Sequence, residues 1–365
     1  MSEVHVYGPA YLDRVLRIDR PLHTAGQQPV DRSADGSLEP GPGLALLDDA
    51  GTLLRIDLPQ DWPGPFGVVR VRGITLDRQT AGNGPIPSIG WHDDLGGMGA
   101  GYASALCGTL VCALGPETDS LSGDVLRMLK ISGIDARPIQ ISGKEADWTL
   151  LISSGPHGDK LAAGFRGCHA ALKPGDLWID DDRPPRLTVV AGLPNPLSSF
   201  VLRDANAPTI RVFAPAMRNM VDRACPLADF AGSIDILACN RLEWESLAES
   251  GSLPGLIPVV IVTDGPEGAQ AIVRAESGEV ESIRLPAFPR THPPRDTNRA
   301  GEAFASSFVR KLLAEGWTPG PVPLNLLRGA MLRASAAAAL VLDRERFGFP
   351  DTFEVERAVA LGRVD

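Results

Sequence analysis

The sequence predicts an α/β protein: a doubly wound, mostly parallel sheet flanked by helices, with a small β-rich accessory sheet. Three observations carry this. Four short apolar runs, Leu187–Ala191, Thr209–Phe213, Ile234–Ala238 and Val259–Val262, show no alternation, which marks strands buried on both faces of a parallel sheet. Helix-like stretches at Leu197–Ala205, Ala216–Cys225 and Leu242–Ser250 separate those runs. Strand alternating with helix gives a layered sheet that binds ligands at the C-terminal strand ends. Residues 23–87 are rich in Gly, Pro and Asp and hold only short β-like pieces, so they are set apart as the accessory sheet.

A chain of 365 residues suffices for one large α/β domain with such an accessory part. The net charge of −10 excludes a nucleic-acid partner bound through a general basic surface. It does not exclude phosphate held in a local anion hole. Cys107, Cys112, Cys168, Cys225 and Cys239 are scattered and lack C-x-x-C spacing, so neither a disulfide framework nor a zinc site is expected. The first residues, MSEVHVYGPAYLD, lack a basic-then-apolar leader, and no run reads as a membrane span. The expectation is a cytoplasmic protein without a membrane partner.

In chain order, Val4–Tyr7 reads as a strand closed by Gly8-Pro9, with Asp13 just beyond it. A carboxylate past a first strand lies where α/β proteins bind ligands, although alone it reads as a solvated turn. Ala45–Leu47, Thr52–Ile56 and Val68–Val71 are β-like, separated by turn signals at 48–51 and 63–67. His92-Asp93-Asp94 reads as a solvated loop. Gly96-Gly97-Met98-Gly99-Ala100-Gly101 is a Gly-rich turn entering a helix, and glycines there let a ligand approach the backbone. Thr118–Asp124 leads into a helix over Val125–Ser132. Trp148–Ser153 reads as a strand returning to the accessory sheet, followed by a turn at 158–160.

After Ile234–Ala238 comes Asn240-Arg241-Leu242-Glu243, which fits an N-cap with its capping-box partner. After Val259–Val262 comes a turn containing Thr263, Gly265 and Gly268. Near the C-terminus, Phe304, Phe308 and Leu312 recur at helical spacing, so a helix begins near Gly301. Its free N–H groups and dipole make an anion site, and Glu302 adds a carboxylate there. Phosphoryl transfer to a hydroxyl needs both parts, an anion cradle and a proton acceptor. Alone, the pair also fits an ordinary helix start. Gly329–Asp343 is Ala-rich and reads as a buried helix. No H-x-x-x-H pair, G-x-S-x-G or Walker motif is present.

Asp296-Thr297-Asn298-Arg299-Ala300-Gly301-Glu302 resembles the second signature, D-T-x-G-A-G-D, of the ribokinase-like (PfkB) carbohydrate kinases. Gly96, Gly97 and Ala103 match the first signature, G-G-x-x-x-N-x-A. Arg166-Gly167-Cys168-His169 is similar to the family's R-G-A-N, Asn240–Glu243 to its N-x-x-E, and Thr263–Ala269 to its T-x-G-x-x-G-A. The motifs follow in family order. The resemblance implies a ribokinase-like fold with residues 1–22 and 88–365 as core and 23–87 as a β lid, which part of 139–165 joins. It implies ATP and Mg2+, and transfer of the γ-phosphoryl to a hydroxyl of a sugar or sugar-like substrate.

By the same resemblance, Glu302 takes the proton, and the N–H groups of Ala300, Gly301 and Glu302 hold the anion, with Arg299 beside them. Asp13, Gly96, Gly97, Gly101 and His169 line the substrate site. Asn240, Thr263, Gly265, Gly268 and Thr297 face the nucleotide, and Glu243 with Asn240 organises magnesium through water. A homodimer through the lid is implied as well. Three positions depart from the pattern: Arg299 replaces Gly, Glu302 replaces Asp and Gly101 replaces Asn. An added methylene moves a carboxylate by about 1.5 Å, and a misplacement near 1 Å costs on the order of 10²-fold. Two alternatives therefore stand: a catalytically degenerate ligand-binding or regulatory protein on this fold, and a nucleoside kinase of the same family. Arg299→Gly with Glu302→Asp restores the pattern and is expected to raise a weak rate.

Overall fold

The computed structural model describes residues 4–18, 88–154, 160–177, 184–204, 209–247, 252–274 and 278–364, together with short strands between residues 23 and 77. Strands β1 (Val4–Tyr7) and β2 (Tyr11–Ile18) come first. Next are β3 (His23–Ala25), β4 (Asp31–Arg32), β5 (Leu38–Glu39), β6 (Gly43–Leu47), β7 (Leu53–Asp57), β8 (Val69–Arg70) and β9 (Gly73–Asp77). β10 (Ser88–Gly96) feeds helix α1 (Met98–Leu106), then β11 (Thr109–Leu114), α2 (Ser120–Ile131) and β12 (Asp135–Gln140). β13 (Trp148–Ser154) and β14 (Lys160–Phe165) precede the regular half: β15 (Leu187–Ala191), α3 (Asn195–Asp204), β16 (Ile210–Ala214), α4 (Met217–Met220), β17 (Ile236–Asn240), α5 (Arg241–Ser246) and β18 (Val259–Thr263). β19 (Ala269–Arg274), β20 (Val280–Leu285), α6 (Ala300–Ala314), α7 (Leu324–Val341) and α8 (Thr352–Leu361) complete the chain.

The main sheet runs β12-β11-β1-β15-β16-β17-β18-β19-β20. It is parallel from β12 to β18, and β19 and β20 add antiparallel. Successive side chains of a strand face opposite sides. Val189, Val212, Ile236 and Val259 enter one core layer with Phe304 and Phe308 of α6 and Met331 of α7. Their neighbours Val190, Phe213, Leu237 and Val260 enter the other, with Leu197 and Val201 of α3. Burial on both faces is why these strands read as unbroken apolar runs. The strand order turns outward in both directions from β1 and β15, which makes their C-terminal ends the switch point where ligands bind.

A second hydrogen-bonded sheet is β10-β2-β13-β14-β8, and a four-stranded sheet β3-β6-β7-β9 and the pair β4-β5 are further separate sheets. Trp148–Ser154 is a strand of this second sheet, between β2 and β14. β2 and β10 belong to it too, drawn from the stretches on either side of 23–87.

Several expectations need correction. Asp13 is within β2, directly opposite Asp94 of β10, and His92-Asp93-Asp94 is strand rather than loop. Helix α2 starts at Ser120, because the Asp119 carboxylate accepts from the N–H groups of Leu121 and Ser122 and caps it there. The helix expected over 216–225 stops at Met220; the Asp222 carboxylate accepts from the N–H groups of Ala224 and Cys225 and folds a turn instead. α7 begins at Leu324, after Pro323. At 18 residues it is long and apolar enough to cross a membrane by composition, yet Leu327, Ala330, Met331 and Ala334 are buried in the core. β11, β12, β19, β20 and α8 had no clear expectation. The turns expected at 48–51, 63–67 and 158–159, and the helix ends at 205 and 248–250, lie outside the described residues.

Candidate active site

The approach to α6 is fixed by local hydrogen bonds. The N–H groups of Arg295 and Asp296 donate to Leu342 O at 2.8 and 3.2 Å, and Arg290 reaches Ala339 O and the Asp343 carboxylate at the end of α7. Asp296 Oδ1 accepts from Asn298 N at 2.8 Å, an Asx turn that bends the chain into the helix. Arg299 then adopts φ 68°, ψ 0°, a left-handed conformation, as the N-cap, with no side-chain cap hydrogen bond. Open space lies where a Cβ of Gly301 would stand. The first turn of a 15-residue helix therefore presents N–H groups with no side chain over Gly301, while the Glu302 N–H meets its own carboxylate.

Two cavities meet at this turn. One, of about 180 Å3, is lined by Tyr11, Asp13, Gly96, Gly97, Thr149 and Phe347 among others. The second, of about 310 Å3, takes in Tyr102, Asn240, Glu243, Thr263, Thr297 and Gly301. Met98, Asn298, Arg299 and Glu302 line both. Residues far apart in sequence thus converge on Glu302: Asp13 on one side, Asn240 and Glu243 on the other.

Burial pushes the Glu302 carboxyl above its ordinary range, while its own N–H and the Arg299 charge pull it down. Burial raises Glu243 to about 7, its hydrogen bonds with Asn240 lower it, and the Glu302 charge adds to the rise. Tyr102, facing both carboxylates, is driven well up, first by burial. Tyr11 rises to about 12, by burial and then by Asp13. Two carboxylates raised by burial, one of them further by the charge of the other, form a site that a divalent cation would relieve. The capping box is also made: Glu243 N donates to Asn240 Oδ1 at 2.8 Å and Asn240 N to Glu243 Oε2 at 2.9 Å. The cap leaves Glu243 with one free oxygen for a cation or its water.

Arg299 is held tightly. Its guanidinium reaches Asp94 Oδ2 at 3.0 Å and Asp296 Oδ2 at 3.4 Å and lies over the Phe347 ring at 6.0 Å. The Arg299 side chain is 10% exposed, and Nε has no hydrogen-bond partner. Asp94 was not foreseen as a site residue, because its role depends on pairing across 205 residues. Tyr11, Thr149 and Phe347 were missed because none sits in a motif, and Tyr102 because it occupies a variable position of one.

The glycines have another reason to be glycine. A Cβ at Gly96 would lie 2.4 Å from Asp13 Cγ, and one at Gly97, whose φ is +101°, would lie 2.2 Å from Pro9 O. The start of α1 crosses the β1–β2 turn, so the close approach is made by the chain itself. A Cβ at Gly268, φ +92°, would likewise lie 2.1 Å from Leu285 O, whereas Gly265 is open. Neither lines the two cavities, and Thr263 reaches only the second. His169 lines neither. Its Nε2 accepts from Ala113 N at 3.3 Å and its Nδ1 lies 3.5 Å from Asp147 Oδ2. Asp147, Cys168 and His169 offer donors within 4.8 Å of one another. With Nε2 accepting, however, Nδ1 carries the proton, so a metal there would require an anionic ring. Burial raises the Asp147 carboxyl, but the His169 hydrogen bond, Gly167 N–H and Arg166 outweigh it and leave it low. The cluster is a hydrogen-bonded knot that ties β11 to the end of β14.

Gly101 explains Glu302. A Cβ at 101 would stand 3.2 Å from Glu302 Cγ and 3.4 Å from Phe349 Cζ. The longer acid thus uses space that a side chain at 101 would fill. Gly101→Asn alone should cost about 1–3 kcal/mol by overpacking. Adding Glu302→Asp, which turns a carboxylate toward that amide, should recover at least about 0.5 kcal/mol beyond additivity. Denaturant midpoints of the four proteins measure this; strict additivity would mean that the two positions are independent.

The sequence pattern of the pfkB family of carbohydrate kinases matches residues 100–351, and the chain belongs to that family. Among solved structures, ribokinase from Giardia lamblia is 18% identical with a TM-score of 0.67, covering 99% of this chain and 100% of that one. A Methanocaldococcus jannaschii nucleoside kinase of the ribokinase family is 13% identical with a TM-score of 0.66, covering 99% of each chain. Arabidopsis thaliana ribokinase, complexed with ribose and ATP, is 15% identical with a TM-score of 0.62, covering 98% of this chain and 99% of that one. At such identities the likeness shows the fold, which is ribokinase-like. No curated protein matches the sequence.

Proposed function

We propose that this protein transfers the γ-phosphoryl of ATP to a hydroxyl of a sugar or nucleoside-like acceptor, as a cytoplasmic enzyme. The observation that carries this is the meeting of two cavities at Glu302 and Arg299, at the open N-terminus of α6. The acceptor occupies the cavity with Asp13, whose carboxylate takes hydrogen bonds from its hydroxyls. The nucleotide occupies the cavity with Asn240, Thr263 and Thr297. Glu302, at the partition, receives the proton of the attacking hydroxyl. The N–H groups of Ala300, Gly301 and Glu302 cradle the phosphoryl oxygens as charge redistributes. Arg299 adds a fixed positive charge beside that point. Glu243, with Asn240 bonded to its other oxygen, would hold magnesium, which would supply charge neutralisation for the transferring group.

A melting-temperature screen with ATP and magnesium against sugars and nucleosides tests the reading, because a ligand that binds only the folded chain raises its melting temperature. Binding of ATP together with one acceptor, followed by ADP release, is the expected result. Glu243→Gln should keep the fold yet lose most of the magnesium dependence. An equal magnesium response in variant and wild type would leave Glu243 with its capping role alone.

A further inference from the structure

A cavity of about 340 Å3 lies between α6, α7 and the segment that enters α8, separate from the two above. Three cations line it, Arg310, Lys311 and Arg333, against two carboxylates, Asp351 and Glu356. Asp351 is occupied as the N-cap of α8, where Oδ1 accepts from Glu354 N. Lys311 pairs with Glu315 and Arg333 with Glu356. Arg310 differs. It donates to two neutral oxygens, Ala105 O at 3.3 Å and Thr352 Oγ1 at 2.8 Å, and has no carboxylate partner among the described residues. Its charge bears on Arg333, which burial, and then Arg310, hold below the usual range. On the same wall Ser306 is 1% exposed, and its Oγ has no hydrogen-bond partner. A guanidinium without a carboxylate partner and an orphaned buried hydroxyl on the wall of one cavity both call for an acceptor with negative charge.

We propose that this cavity binds a small organic anion, a phosphate ester or a carboxylate. Its charged group sits between Arg310 and Arg333 and accepts from Ser306, and its body lies on Ala303, Ala337 and Val355. Binding here does not depend on the kinase reading. Ser306 sits one helical turn after Glu302, so occupancy also bears on the helix that carries Glu302.

Titration calorimetry with glycerol 3-phosphate and with citrate tests it on the full chain. One probe should bind the wild type, and which one binds names the ligand class. Affinity should fall about tenfold or more in Arg310→Gln and in Ser306→Val. Arg310→Lys, which keeps the charge, should retain part of it and control for folding. Asn240→Ala, in the other cavity, should leave it unchanged. Binding that survives Arg310→Gln, or no binding of either probe to a folded wild type, would overturn the assignment.

Discussion

Glu302→Gln should lower turnover by about 10²–10⁴-fold, the usual contribution of a positioned proton acceptor, without lowering the melting temperature at neutral or alkaline pH. The second half follows from linkage. Burial holds the folded-state pKa of Glu302 above its unfolded value. Such a group stabilises the fold in its protonated form. That contribution is whole below the unfolded pKa and is lost as the pH rises through the folded one. Above it, the wild type carries a buried charge that the amide avoids. The carboxylate is the active form, so turnover should fall on the acid side, at a higher pH than an unperturbed Glu would give. Removing Arg299, whose charge lowers this pKa, should move that limb higher still. Robust turnover in Glu302→Gln would place the proton acceptor elsewhere. A wild type that binds ATP and an acceptor but turns over neither would be the ligand-binding protein of this fold.

Arg299→Gly should destabilise the protein, although it restores the residue that the family pattern carries. A left-handed Arg costs roughly 1–2 kcal/mol, which Gly would recover. Against that, Asp94 and Asp296, whose side chains are 11% and 13% exposed, would lose their shared cation. Breaking such a buried pair costs about 3–5 kcal/mol. The net expectation is a loss of roughly 1–4 kcal/mol. Asp94→Asn should cost less in the Arg299→Gly background than in the wild type, because the charge it removes is then already unpaired. Denaturant unfolding of the four proteins decides this. If Arg299→Gly is as stable as wild type, strain outweighs pairing. The pair of substitutions that the sequence pattern suggests, Arg299→Gly with Glu302→Asp, therefore needs Asp94 and Gly101 changed too before it can raise a rate.

The sequence by itself determined the layered α/β fold. Runs such as Leu187–Ala191 and Val259–Thr263 are apolar at every position, and only a strand covered on both faces asks for that. It also determined the start of α6 and the Asn240 cap, because caps and helical stripes are written within a few residues. It was weaker where one side chain sets an element's end, as Asp119 and Asp222 do. Only the tertiary structure decided what the departures mean. That Arg299 answers Asp94, that Gly101 makes room for Glu302, and that His169 belongs to a knot with Asp147 depend on side chains brought together across tens to hundreds of residues. Local pattern carries no record of such pairs. Packing and charge compensation are properties of the assembled space, and a motif read position by position registers each member only as a mismatch.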